Sequence, residues 1–349
     1  MSSVLYHVDA ILKKHPQVKL NVIVISSATP LRNLIEGWKP DGFSARMKGN
    51  NAIFSLNIEK EGRPDESNIS EDVLALQYGE LPVYILISDD VGRSRETILV
   101  TFLNRYYPDI SRLYLSSFEL YHLLKELGKE SKAKIEVDRL SFYSWIEPAH
   151  KRKRSDVSYT QEPLEPVFER VFREGDLVDK IQFTLLDAER TPLLNGYLSR
   201  KGLFRCRRSF TRFYETIIVG AAEMAQRKFN AFANRNRTEE HLTPQKLEIS
   251  YDTDTLGSKD QLNYFIETLG TLKFSSMSIY HRNPYFHASV VDYGDGSSYD
   301  VWVVNTRKIH ILPQLRANAA SLARLVNHVF EFFSEGEIEG YIRIGIKRD

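Results

Sequence analysis

The sequence predicts an α/β domain over residues 1–130 followed by two tandem α+β units, 131–242 and 243–349. Near the N-terminus, continuous apolar runs alternate with helix-like segments, as strands buried on both faces of a helix-covered sheet do. Segments of the middle third then recur in the last third. A chain of 349 residues is long enough for two or three such cores.

In the first domain, "KLNVIVIS" (19–26) reads as a buried strand and "TPLRNLIEGW" as the helix after it. "GFSARMKGNNAIFSLNI" reads as a hairpin turning at Gly49, Asn50 and Asn51, and "KEGRPDESN" as a polar loop. The spacing predicts a helix near Glu71–Tyr78, then a second buried strand in "LPVYILIS" (81–88). "RSRETILVTFLNRYY" reads as a helix that stops before Pro108, because a pre-proline residue leaves the α region. "SRLYLS" and "FELYHLLKELGKES" add a strand and a helix.

Beyond residue 130, "KIEVDRL" (134–140) resembles "KLEISYD" (246–252), and "EPLEPVFERVF" (162–172) parallels "DQLNYFIETLG" (260–270). "FTLLDAERTPLLNGYLSRKG" (183–202) resembles "ASVVDYGDGSSYDVWVVNTRKI" (288–309), aligning Asp187 with Asp292. Each set ends in an amphipathic helix, so the expected unit is β-α-β-β-β-α, and two such units suggest a pseudo-symmetric duplication. Between the first domain and the first α+β helix, "EPAHKRKRSDVSYTQEP" reads as a loop from its Pro, Ser and charge content.

Composition narrows the function classes. Apolar residues make up 42% and charged residues 27%, ordinary for a globular protein. The single cysteine, Cys206, excludes an intramolecular disulfide and a multi-cysteine zinc site, and it fits a reducing cytosol. The longest apolar run, "TIIVGAAEMA", falls well short of the ~18 residues a membrane span needs. "MSSVLYHVDAILKKHPQ" lacks the apolar core of a signal peptide, so the expected location is cytoplasmic, with no membrane partner.

The formal net charge of +1 hides an asymmetry. Ten Lys or Arg and two Glu lie between Arg200 and Arg237, a local +8 against −7 elsewhere. Most of it sits in "RKGLFRCRRSFTRFYE" (200–215). Arg200, Lys201, Arg205, Arg207, Arg208 and Arg212 are therefore the expected phosphate contacts, with Lys151, Arg152, Lys153 and Arg154 as an auxiliary arm. The last of the six crowd a helix start, whose backbone amides favour an anion. Phe204, Phe210 and Phe213 are the candidate stacking rings for bases. The aligned second copy, "HILPQLRANAAS", keeps only Arg316, so the fold itself does not require the charge.

Chemistry is less marked. Asp89 and Asp90 end a strand in "DDVGRSRET"; with Gly92, Arg93 or Arg95, and Ser26, Ser27 and Thr29 at the first strand's end, they could hold Mg²⁺ and a phosphate. No GxxxxGK[ST], GxGxxG after a strand, HExxH or GxSxG occurs. Asp187 and Asp292 read as turn residues, and no metal site is expected. Arginines beside Cys206 would lower its pKa. The leading expectation is an accessory protein, not an enzyme, that binds nucleic acid or another polyanion and needs no cofactor. The second is a Mg²⁺-dependent nucleotide or phosphoester enzyme acting through Asp89 and Asp90. The third is a structural subunit that binds a protein.

Overall fold

The computed structural model describes residues 18–37, 43–48, 53–58, 69–79, 83–89, 101–144, 154–233, 245–282 and 285–339, with isolated positions at 8–10, 12, 14, 99, 235 and 341. These form a mixed α+β protein with two large antiparallel sheets. The chain divides into two compact units, residues 1–144 with 154–226, and 145–153 with 227–349.

In the first unit the elements run β1 (Leu20–Ser27), α1 (Leu31–Gly37), β2 (Phe43–Lys48), β3 (Ile53–Ile58), β4 (Ile69–Tyr78), β5 (Val83–Asp89), a helical stretch at 101–105, and β6 (Ile110–Arg112). They continue through α2 (Ser117–Ser131), β7 (Lys134–Tyr143), β8 (Arg154–Pro163), α3 (Leu164–Glu174), β9 (Leu177–Leu186), β10 (Pro192–Ser199) and β11 (Leu203–Arg208). A composite helix, α4, follows with an α turn (Phe210–Phe213), a π segment (Tyr214–Ile218) and an α run (Val219–Phe232) whose last residues belong to the second unit. The strand order is β2-β3-β4-β5-β1-β11-β10-β9-β7-β8, with β6 also on β1.

Two expectations change here. Every pairing β1 makes is antiparallel, so the N-terminal segment is not a parallel α/β sheet. It also shares one sheet with the segment after residue 130, because Val22 pairs with Phe204. The continuous apolar run of β1 was a sound sign of two-sided burial. Val22 and Val24 pack with α2 and α4, while Ile23 and Ile25 pack with α1 and the 101–105 helix. That burial does not require parallel neighbours.

Two local readings change as well. Residues expected as a helix near Glu71–Tyr78 form β4; covered on both faces, it shows no period-2 alternation to separate it from a helix. The expected loop over 154–163 is β8, an edge strand in which Val157 and Tyr159 are half-buried between exposed polar neighbours. The α2 helix forms as expected. Ser116 Oγ accepts from Glu119 N at 3.2 Å and the Glu119 carboxylate accepts from Ser116 N at 2.7 Å, a reciprocal cap. Gly202 turns β10 into β11 at φ 68°, and a Cβ there would lie 2.7 Å from the Leu113 carbonyl.

The second unit contains β12 (Leu247–Ser250), α5 (Lys259–Gly270), β13 (Ser275–His281), β14 (His287–Asp292), β15 (Ser298–Asn305), β16 (Lys308–Pro313), α6 (Ala319–Phe332) and β17 (Glu337–Ile338). Its sheet order is β13-β14-β15-β16-β12-β17. The tandem equivalence expected from sequence does not extend to this sheet: β7 pairs with β9, the first strand of its meander, whereas β12 pairs with β16, the last. The matching connectivity lies elsewhere. Strand, helix, four-strand meander, helix, short strand describes β1 to β6 as well as β12 to β17, with sheet order β2-β3-β4-β5-β1-β6 in one and β13-β14-β15-β16-β12-β17 in the other.

Candidate nucleic-acid interface

Strand β11 explains how the basic, aromatic stretch folds. Phe204 and Cys206 point into the core beneath α2 and α4, so Arg205 and Arg207 point to the opposite face. That face joins the core under α1 and the 101–105 helix at Leu203, while toward Arg207 and across β9 it presents half-buried or exposed polar residues. Neighbouring strands extend it in register. Asn21, Arg205, Tyr197, Gln182 and Arg139 form one cross-strand row, and Arg207, Asn195 and Thr184 the next.

The rows enclose a hollow of ≈ 340 Å³ lined by Lys19, Asp138, Gln182, Asn195, Arg205 and Arg207. A smaller one of ≈ 220 Å³ adjoins it through Tyr197 and Arg205 and reaches Lys180, Arg139 and Arg154. Arg205 is oriented by Asn21, whose Oδ1 accepts from Nε at 2.7 Å, and its guanidinium lies 5.1 Å from the Tyr197 ring centroid. Asn195 donates to Thr184 Oγ1 and Thr184 to Asp138, both at 2.9 Å. Arg139 and Arg154 are held differently. Both reach Asp156, at 3.5 and 3.1 Å, and Arg154 also lies 3.7 Å from Asp179. Ser141 donates to Asp156, and with Arg154 it holds that carboxyl below the usual range. Lys19, Lys180 and Arg207 have no carboxylate within 4.0 Å among the described residues.

The other predicted contacts disperse. Arg200 is 0% exposed; its Nε donates to the Val178 carbonyl at 2.6 Å and its guanidinium packs on Tyr114, so it belongs to the interior. Phe204, Phe210 and Phe213 are core residues, each 0% exposed, and cannot stack on bases. The helix start at 210 already has its anion: Asp9 accepts from Phe210 N at 2.6 Å and from Thr211 N at 3.2 Å. A phosphate is therefore not needed there. Lys201 lies exposed in the β10–β11 turn. Arg208, at φ 71°, donates to the Pro192 carbonyl at 2.8 Å. Arg212 is half-buried in the first turn of α4, and its Nη1 has no hydrogen-bond partner among the described residues. Lys151, Arg152 and Lys153 lie outside the described residues.

Strand polarity also dismantles the expected phosphoester pocket. Leu20 pairs with Asp89 and Ser26 with Val83, so Ser26 and Asp89 sit at opposite ends of an antiparallel pair, about 20 Å apart at 3.4 Å per residue. Ser27 Oγ donates to the Thr29 carbonyl at 2.6 Å. Asp90, Gly92, Arg93 and Arg95 lie outside the described residues. Burial, with Asp9 nearby, pushes the Cys206 thiol well up, the reverse of the activation expected from neighbouring arginines. Asp187 and Asp292 do cap turns, accepting from Glu189 N at 2.9 Å and Gly294 N at 2.7 Å.

Lys19, Lys180, Gln182 and Asn195 were missed by sequence reasoning. Polar Lys180, Gln182 and Thr184 alternate with buried Ile181, Phe183 and Leu185, a legible signal of a one-sided strand. No protein-family model matches the sequence, and no curated protein matches it. Among the described residues no helix is long and apolar enough to cross a membrane, and no group of three or more His, Cys, Asp or Glu could hold a metal ion.

Proposed function

We propose that the protein binds the phosphate backbone of a nucleic acid on the open face of β11, β10, β9 and β7. One observation carries this reading. Arg205 and Arg207 share an uncovered sheet face and line one hollow with Lys19, while the alternate residues of the same strand are core. The fold has no need of cations there, since the second face of these strands supplies the packing. A bound phosphate neutralises Lys19 and Arg207, which have no carboxylate within 4.0 Å among the described residues. Asn195, Gln182 and Tyr197 between the cations offer hydrogen bonds to sugar and base edges.

Fluorescence anisotropy of labelled DNA and RNA oligonucleotides, titrated with the full chain at several salt concentrations, tests the proposal. Contact with about four phosphates predicts log K falling against log salt with a slope near −3. Arg205→Ala with Arg207→Ala should weaken binding at least ~10-fold and flatten that slope by about 1.5. Lys201→Ala, at the turn, should change neither by much. Affinity indifferent to salt, or unmoved by the double substitution, excludes this face.

A further inference from the structure

The larger hollow on the Arg205 and Arg207 face holds one acid among its cations, and an irregularity of the backbone puts it there. Strand β7 pairs Val137 with Phe183 and Arg139 with Gln182, so Asp138 is an extra residue between two consecutive rungs. A bulge of this kind bends its strand and re-aims a side chain. Val137 and Leu140 on either side are core, while Asp138 lines the larger hollow and Arg139 the smaller. Asp138 Oδ2 accepts from Thr184, and Thr184 accepts from Asn195, both at 2.9 Å. Its Oδ1 takes no hydrogen bond from the described residues.

A carboxylate is out of place in a hollow that receives phosphate alone. Lys19, Arg205 and Arg207 attract a phosphate, and Asp138 repels it. Both demands are met by a ligand that brings negative charge to the cations and a hydrogen-bond donor to Asp138. A nucleotide does this through its phosphate and the exocyclic amine of its base. Cytosine and adenine carry an amine donor where thymine carries a carbonyl acceptor, and a carboxylate is the natural acceptor for the cytosine amine. Gln182 and Asn195 set side-chain amides beside the same space.

The breadth of the face decides the strand state. Arg207 and Lys180 lie two strands and four residues apart, about 17 Å on the diagonal, with Arg205 between them. The grooves of B-DNA, about 12 and 6 Å wide, admit a helix or a two-stranded ribbon, and four adjacent strands enter neither. A duplex therefore meets this face with phosphates alone, its base amines held inside by pairing. An unpaired strand can lay a base against the sheet and reach Asp138.

We infer that the larger hollow takes one unpaired base of a single strand, whose exocyclic amine donates to Asp138 while Lys19, Arg205 and Arg207 hold the flanking phosphates. This rests on the nucleic-acid reading above and adds the strand state and a specificity-determining residue. Anisotropy titrations of the full chain compare oligo-cytidine DNA, oligo-thymidine DNA, an abasic strand and a mixed-sequence duplex, each of about 12 nucleotides. Oligo-cytidine should bind about 10-fold more tightly than each of the others. Asp138→Ala should erase its advantage over oligo-thymidine without weakening the abasic strand, since a repulsive charge has left the hollow. Asp138→Asn, which keeps an acceptor for Thr184, guards against a folding defect and should also cut that advantage several-fold. Equal affinity for all three single strands, tighter binding of duplex, or a cytidine preference unmoved in both Asp138 variants overturns the base site. The phosphate reading still stands in those cases if Arg205→Ala with Arg207→Ala weakens binding. No uptake of any oligonucleotide overturns both.

Discussion

Residues 20–112 and 247–338 follow the same connectivity, and each covers one sheet face with its own two helices. They differ in the second face. In the N-terminal segment that face is apolar, and α2 and α4 lie on it, with Phe210, Phe213, Tyr214 and Ile217 packed toward Val22, Val24 and Ile85. In the C-terminal segment it carries an aromatic and imidazole row flanked by serines and a charge cluster. The same backbone plan thus yields an apolar face that further helices cover or a polar and aromatic one, and the outward-pointing residues of the strands decide which.

The sharpest break of this comparison is a charge placed on each face. Val24→Asp puts a carboxylate on a fully buried site and should remove several kcal/mol, roughly 3–5, from the first unit; Ser278→Asp, at an exposed position on the C-terminal open face opposite Ser289, should shift stability by less than about 0.5 kcal/mol. Urea denaturation of both variants measures the gap, and equal losses would show the C-terminal face to be covered after all. Next, Phe213→Ala should cost about 3–5 kcal/mol through its cavity yet leave oligonucleotide affinity per folded molecule unchanged.

Smaller effects sharpen the picture. Asp9→Ala removes the cap of α4 and should lower the urea midpoint by the equivalent of about 1 kcal/mol. Glu248 gives the mildest change. Hydrogen bonds from Lys308, then Lys246 and His310, depress its carboxyl from 4.5 to about 2. A depressed folded-state value means the stabilisation is full above the unfolded value and lost as pH falls from about 4.5 toward about 2. Its lysine partners are about half exposed and screened by solvent, so Glu248→Gln should cost roughly 1 kcal/mol at neutral pH and flatten the acid limb of the stability curve.

Much of the fold was legible before any coordinates. The strands of "KLNVIVIS" and "LPVYILIS", the β2–β3 hairpin and the α2, α3 and α5 helices fall where their patterns put them. Strand β4 was not, because burial on both faces erases the alternation that distinguishes a strand. Half of the candidate site was legible too. Arg205 and Arg207 stand on an open face, but Phe204, Phe210 and Phe213 went inside, since a ring beside arginines in sequence can lie on the other face of the same strand.

Local sequence by itself determined most of the helices and strands, β4 and β8 excepted, and where cations concentrate. Which strands lie side by side was decided only by tertiary structure. Hydrogen-bonded pairing joins residues far apart in the chain, such as Asn21 with Arg205, and no short-range pattern encodes that partner. The same holds for the anion at the start of α4. Asp9 reaches it from 201 positions away, and that contact turns an apparent phosphate site into a structural cap.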